Sequence, residues 1–122
     1  MTPRDFEQAF SLGATQEQIE AVNRVCAEVE FCKDGTPIMA GWYSDVTKRY
    51  VQDANNSERL IRKAIDADRF AFARKLMDAT SVDVFCTADD VYRSEMNVPN
   101  LACAPQSARL YAAVQTLMGA KR

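Results

Sequence analysis

Residues 15–30 read TQEQIEAVNRVCAEVE, and this stretch carries the clearest secondary-structure signal in the chain. Thr15 followed three residues later by Gln18 is the signature of a capping box at a helix N-terminus. Apolar side chains then recur at helical spacing, with charged side chains on the opposite side. The apolar row is Ile19, Val22, Cys26 and Val29, and the charged row is Glu17, Glu20, Arg24 and Glu28. The stretch therefore predicts an amphipathic helix.

Capping residues before other apolar runs predict further helices. Their expected N-caps or first residues are Thr2, Pro37, Ser57, Asp68, Thr87 and Pro105. Asp68 would otherwise lie in the middle of an apolar helix face, where a lone carboxylate is expensive to bury, so a break is expected there. Gly13 is expected to end the first helix at about Leu12. These signals predict an all-α protein, a compact bundle of about six or seven short helices in a single domain over residues 1–122.

The segment from residue 29 to residue 54 has two interpretations. Asp34-Gly35 between apolar residues is a hairpin signal, although Pro37 would remove a donor from the returning strand. In the favoured interpretation Thr36 caps a helix that runs from residue 37 to about residue 54. A stripe at helical spacing supports it, formed by Met39, Trp42, Tyr43, Val46 and Tyr50. The alternative fold class is α+β, with a small hairpin near 29–40 and a short strand near 82–86.

The chain contains no histidine among its 122 residues. Histidine is the commonest general base and metal ligand near neutral pH, so Ser-His, Cys-His and most zinc chemistry are excluded. The sequence also lacks a phosphate-binding loop, a dinucleotide fingerprint and a paired-cysteine motif. We therefore expect a protein that is not an enzyme and that uses no cofactor and no metal.

The cysteine pattern and the absence of export signals predict a cytoplasmic location. Cys26 and Cys32 would be about 9 Å apart along one helix, which is beyond disulfide reach. No signal peptide opens the chain, and no apolar stretch approaches the roughly 20 residues of a membrane span. We expect reduced thiols and no membrane contact.

The apolar residues are biased towards alanine, with 18 alanines against 26 residues of Leu, Ile, Val and Phe combined. Alanine favours helix but buries little surface, so we expect a thin core that a homo-oligomer would complete. By elimination, the expected function is to bind another macromolecule, with a protein as the favoured partner. Small domains of this type are often regulators, inhibitors or accessory factors, and some are phage-encoded. The candidate partner-binding residues are Arg59, Arg62, Lys63, Trp42 and Tyr43.

The first two predicted helices also suggest an alternative function. Four residues with the spacing A-x3-G-x5-I-x2-V, from Ala9 to Val22, resemble the DNA-binding helix-turn-helix. The resemblance implies that the helix near 16–30 reads base edges. The reading side chains would be Gln16, Gln18, Asn23 and Arg24. Glu17 and Glu20 lie where phosphates would come, so nucleic acid is the alternative partner and not the favoured one.

Overall fold

The computed structural model describes residues 2–33, 36–37, 46–80 and 105–120. Within these ranges lie five α-helices: α1 (Pro3–Ala9), α2 (Gln16–Phe31), α3 (Ala54–Ala67), α4 (Arg69–Thr80) and α5 (Gln106–Ala120). A two-residue antiparallel pair, β1 (Cys32–Lys33) and β2 (Thr36–Pro37), follows α2, and a short 3₁₀ helix covers Val46–Lys48. The all-α fold class is confirmed. The predicted helix from Thr87 and the strand near 82–86 lie outside the described residues.

The N-termini of α1 and α2 are closed by capping boxes; the sequence predicts the box on α2 and, for α1, Thr2 as the N-cap. The Thr15 hydroxyl accepts a hydrogen bond from Gln18 N at 3.2 Å, and the Gln18 side chain accepts one from Thr15 N at 2.9 Å. Thr2 and Asp5 form the equivalent box on α1. Each box satisfies backbone N–H groups that have no partner within the helix. Helix α1 is shorter than expected, because Phe10 is its C-cap and the chain then turns.

Helix α5 lies at the centre of the bundle and contacts the other four helices. Leu110, Ala112, Ala113 and Val114 are all buried, so α5 has apolar residues on more than one side. The spacing between packed helices depends on the side chains at their contact, and small alanines permit close approach. The buried alanines of α5 therefore allow its neighbours to pack closely against it.

The helix expected from residue 37 to about residue 54 is wrong where the structure describes that range, at residue 37 and residues 46–53, and residues 38–45 lie outside the described residues. Thr36 and Pro37 pair with Lys33 and Cys32 as two short antiparallel strands, and residues 50–52 form a turn. Because Pro37 is the last residue of a two-residue strand, its missing N–H removes little from the ladder. The apolar stripe correctly marked Tyr50 as a core residue, since its side chain is fully buried, but it did not determine the backbone that carries it.

Two side chains determine where α3 and α4 begin. Asp53, and not Ser57, is the N-cap of α3, and its carboxylate accepts a hydrogen bond from Asn55 N at 2.9 Å. The predicted break at Asp68 is confirmed. Asp68 ends α3 in extended conformation, and its carboxylate accepts a hydrogen bond from Ala71 N at 3.0 Å in the first turn of α4.

Candidate functional site

A carboxylate is buried in the last turn of α2. The side chain of Glu30 has no solvent exposure, and Cys26 and Phe31 on the same helix are buried beside it. Removing a charge from water is costly unless opposite charges and hydrogen-bond donors replace the water. Glu30 is therefore the position in α2 that most needs a physical explanation.

Three side chains from outside α2 supply four hydrogen bonds to Glu30. Arg59 donates through Nε to Oε2 at 2.9 Å and through Nη2 to Oε1 at 2.7 Å. Lys63, one turn further along α3, donates from Nζ to Oε2 at 2.7 Å. The hydroxyl of Tyr50 donates to Oε1 at 2.5 Å. We call these four residues the Glu30 cluster, in which the paired contact of Arg59 is the two-pronged geometry that guanidinium and carboxylate favour.

Three neighbouring buried groups, Glu30, Tyr50 and Cys26, each keep one protonation state at neutral pH. Burial by itself would raise the pKa of Glu30, but the hydrogen bonds from Arg59, Lys63 and Tyr50 outweigh it and hold that pKa below its ordinary value. Burial and the neighbouring Glu30 raise the pKa of the Tyr50 phenol. Burial, followed by the charge of Glu30, also raises the pKa of the Cys26 thiol. Glu30 is therefore a carboxylate, whereas Tyr50 and Cys26 stay neutral.

Arg59 joins the Glu30 cluster to the segment before α3. Its Nη2 donates to Thr47 O at 2.9 Å, and its Nη1 donates to the Asn56 side-chain oxygen at 2.9 Å. The Asn56 amide in turn donates to Val46 O at 2.8 Å. Side chains thus provide the hydrogen bonds that a regular helix would provide for this backbone.

Helix α2 holds the same segment from the other side. The side-chain oxygen of Asn23 accepts hydrogen bonds from Tyr50 N and Val51 N, each at 3.0 Å, and its amide nitrogen donates to Gln52 at 2.8 Å. Ser57 at the start of α3 donates to Tyr50 O. These contacts position Tyr50 so that its ring is buried and its hydroxyl reaches Glu30.

Phe31 provides an aromatic surface for the two cations of the cluster. The Arg59 guanidinium carbon lies 5.6 Å from the centre of the Phe31 ring, and Lys63 Nζ lies 5.7 Å from it. Arg59 also lies 5.8 Å from the centre of the Tyr50 ring. Cations over aromatic faces at this range are stabilised by the ring quadrupole.

Two residues of the Glu30 cluster, Arg59 and Lys63, line a depression of about 440 Å³ along α3. We call it the α3 depression; it is lined by Asn55, Glu58, Arg59, Arg62, Lys63 and Asp66. Glu58 is neutralised by Arg109 of α5 through contacts of 2.6 and 3.1 Å. The three basic residues that the sequence singled out, Arg59, Arg62 and Lys63, thus line one surface feature.

The structure separates these three basic residues by role. Arg59 and Lys63 are bound to Glu30, with a third or more of each side chain exposed. Arg62 is exposed and has no ion-pair partner within the described residues. Trp42 and Tyr43, the other candidate partner-binding residues, lie outside the described residues.

The four side chains assigned to base reading are partly used inside the protein. Asn23 holds residues 50–52, and Gln18 closes the capping box at Thr15. Gln16 donates to Glu20 at 3.2 Å one turn along α2, and Arg24 is exposed. Reading by Asn23 or Gln18 would require these internal hydrogen bonds to break.

Glu30 was not among the candidate residues predicted from the sequence. The residue follows Val29 at the end of the predicted helix and looks like one more acid in an acidic stretch. The available signal was Phe31, an aromatic residue on the side of α2 that also carries charged residues. Many sequences have an acidic residue beside an aromatic one at a helix end, and an Arg and a Lys four residues apart elsewhere in the chain. This pattern is therefore too common to predict a buried cluster.

Comparison with known proteins identifies no relative of this chain. No protein family model matches the chain, and no curated protein or solved structure is significantly similar to it. Among the described residues, no group of three or more Cys, Asp or Glu side chains is arranged to hold a metal ion. In the same part of the chain, none of the helices has the length and apolar character to cross a bilayer.

The lowered pKa of Glu30 predicts a specific pH dependence of stability. A carboxyl whose pKa is lower in the folded than in the unfolded protein stabilises the fold above its unfolded pKa of about 4.3, and this stabilisation is lost as the pH falls through the folded pKa. Replacing Glu30 by Gln should therefore lower the free energy of unfolding by about 2 kcal/mol at neutral pH, and by progressively less below about pH 4. Urea unfolding of both proteins across this pH range measures the difference.

The matched control for Glu30→Gln is Glu28→Gln, an exposed position on the same helix. Its unfolding curves should follow those of the wild type at every pH. A Glu30→Gln protein whose stability runs parallel to the wild type down to acid pH would contradict the assigned role of the carboxylate.

Proposed function

We propose that this protein is not an enzyme and acts by binding another protein, as a regulator, inhibitor or accessory factor. The observation that carries the proposal is the state of the Glu30 cluster. Its carboxylate is fully enclosed and already accepts four hydrogen bonds, and the neighbouring phenol and thiol are held neutral. Groups in these states serve the packing of the fold and are poorly suited to transfer protons or attack a substrate.

The surface that this cluster supports is suited to recognition. Arg59 and Lys63 are held in place on α3, and Arg62 beside them is exposed. Arginine is enriched at the energetic centres of protein interfaces, and ordered side chains lose less conformational entropy on binding. The outer face of α3 is therefore the proposed contact surface among the described residues.

The proposed setting is the cytoplasm. Cys26 and Cys32 are both buried thiols and not a disulfide. Thiols persist in a reducing compartment, which supports this location.

The proposal is tested by capture from a native lysate followed by reconstitution. The tagged protein should enrich a partner that the tag alone does not, and the purified partner should then bind with a dissociation constant of about 1 μM or tighter. Arg62→Glu should weaken that binding, whereas Arg24→Glu on α2 should not.

Two results would contradict the proposal. The first is turnover of a small molecule by the pure protein, abolished when one cysteine or carboxylate is replaced without loss of the fold. The second is binding to mixed genomic DNA that weakens steeply with salt, since DNA affinity scales with the phosphates contacted. The second result would support the helix-turn-helix alternative, and Arg24→Glu would then weaken binding more than Arg62→Glu.

A further inference from the structure

We infer that the α3 depression binds a carboxylate side chain of the partner protein through Arg62 and Lys63. In the partner, that acidic residue has a basic residue next to it on the same surface. The inference rests on the proposed function, because it names the chemistry of the partner's contacting segment. It is carried by the geometry of the Glu30 cluster and the charges around the depression.

Lys63 retains donors for a ligand after binding Glu30. An ammonium group has three N–H donors, and the structure uses one of them at 2.7 Å from Glu30. The side chain is 40% exposed and lines the depression, so the remaining donors are accessible. Because Glu30 and the Phe31 ring hold the ammonium in place, a second carboxylate meets an already ordered cation.

Arg62 supplies the second contact. Arg62 directly precedes Lys63 on α3, lines the depression and is exposed. A guanidinium presents its donors as a planar fork that matches a carboxylate. Arg59 contributes its positive charge to the lining, although most of its donors are used on Glu30, Thr47 and Asn56.

The two acidic residues of the depression decide the class of ligand. Glu58 is neutralised by Arg109, but Asp66 is exposed and has no ion pair within the described residues. Asp66 lies one helical turn beyond Arg62, about 6 Å along the axis. A polyanion that contacts Arg62 would be repelled by Asp66, whereas a segment with an acidic and a basic residue one turn apart would match both.

This alternation of charge favours a protein segment over nucleic acid. Nucleic-acid footprints are dense basic stripes that neutralise many phosphates, and the depression offers an acid beside its bases. A helical partner segment with Glu and Lys four residues apart has the required spacing, because residues four apart share one helix face.

The experiment is an NMR titration of the full-length protein that follows the side-chain resonances of Arg62 and Lys63. The probe is a capped helical peptide of Glu-Ala-Ala-Ala-Lys repeats, and the matched control peptide has Gln in place of Glu. The first peptide should shift both resonances with a dissociation constant of about 1 mM, and the control should not. Arg62→Glu should weaken the peptide by about three- to tenfold, whereas Arg24→Glu should leave it unchanged.

Several outcomes would overturn the inference. Equal shifts from both peptides, or none from either, would show that the carboxylate is not recognised. A tighter response to inorganic phosphate or to a single-stranded oligonucleotide would assign the depression to another ligand. Concentration-dependent dimerisation by light scattering that Arg62→Glu abolishes would assign it to a second copy of this chain.

The captured partner separates this inference from the proposed function. If the purified partner binds the wild-type protein and Arg62→Glu equally well, the proposed function stands and the assigned surface is wrong. If weakening by Arg62→Glu is accompanied by loss of the peptide shifts, both are supported. If no partner can be reconstituted, the proposed function fails, and the peptide titration alone decides whether the α3 depression recognises a carboxylate.

Discussion

Replacing Arg59 by methionine is expected to lower the free energy of unfolding by about 3 to 5 kcal/mol. The substitution removes both prongs of the contact with Glu30 and the hydrogen bonds to Thr47 O and Asn56. Methionine keeps much of the packing on Phe31, so the loss reports the charge and the hydrogen bonds. Glu30 would remain enclosed with Lys63 and Tyr50 as its partners, and an incompletely compensated buried charge is strongly destabilising.

The measurement is urea unfolding at neutral pH, with two matched variants. Arg62→Met changes an exposed arginine on the same helix and should alter stability by about 0.5 kcal/mol or less. Lys63→Met removes a single, partly exposed contact and should cost about 1 kcal/mol. If Arg59→Met and Arg62→Met cost the same, the Glu30 cluster does not stabilise the fold as described.

Replacing Tyr50 by alanine is expected to cost about 3 to 5 kcal/mol, because it empties a fully buried aromatic site. The ring packs in the core, and its backbone is held by Asn23 and Ser57. The lost side chain therefore leaves a cavity that the surrounding helices can only partly fill. Unfolding by urea, or the loss of cooperativity in a thermal scan, measures the effect.

Tyr50→Phe separates the hydroxyl from the ring. The phenylalanine variant retains the packing and loses only the hydrogen bond to Glu30 Oε1, so it should cost about 1 to 2 kcal/mol. Its pH dependence should also change, because the Glu30 carboxylate loses one of the donors that lower its pKa. Equal destabilisation by Tyr50→Ala and Tyr50→Phe would contradict the cavity argument.

The helix N-termini that are fixed by capping side chains a few residues away could be predicted from the sequence. Thr15 with Gln18 and Thr2 with Asp5 form capping boxes within four residues of chain, and Asp68 ends one helix and opens the next. Such signals act between near neighbours, so one sequence is enough to identify them. The all-α class follows from their number and from the helical spacing of the apolar residues.

The start of α3 and the backbone before it were not predictable in the same way. The apolar stripe through Tyr50 favoured a helix, but much of the segment's backbone is hydrogen-bonded to the side chains of Asn23, Asn56 and Arg59. Two of these three side chains belong to α3 and one to α2. A backbone satisfied by distant side chains leaves no periodic pattern in its own sequence.

In the candidate site, too, some features follow from the local sequence and others only from tertiary contacts. The sequence by itself determined that Arg59, Arg62 and Lys63 share one side of a helix, because residues three and four apart lie on one face. Only the tertiary structure decided that two of them enclose Glu30 while Arg62 stays exposed. Glu30 is 29 residues from Arg59 and 33 from Lys63 along the chain. Contacts at such separations depend on how α2 and α3 pack, and neither helix encodes that packing in its own local pattern.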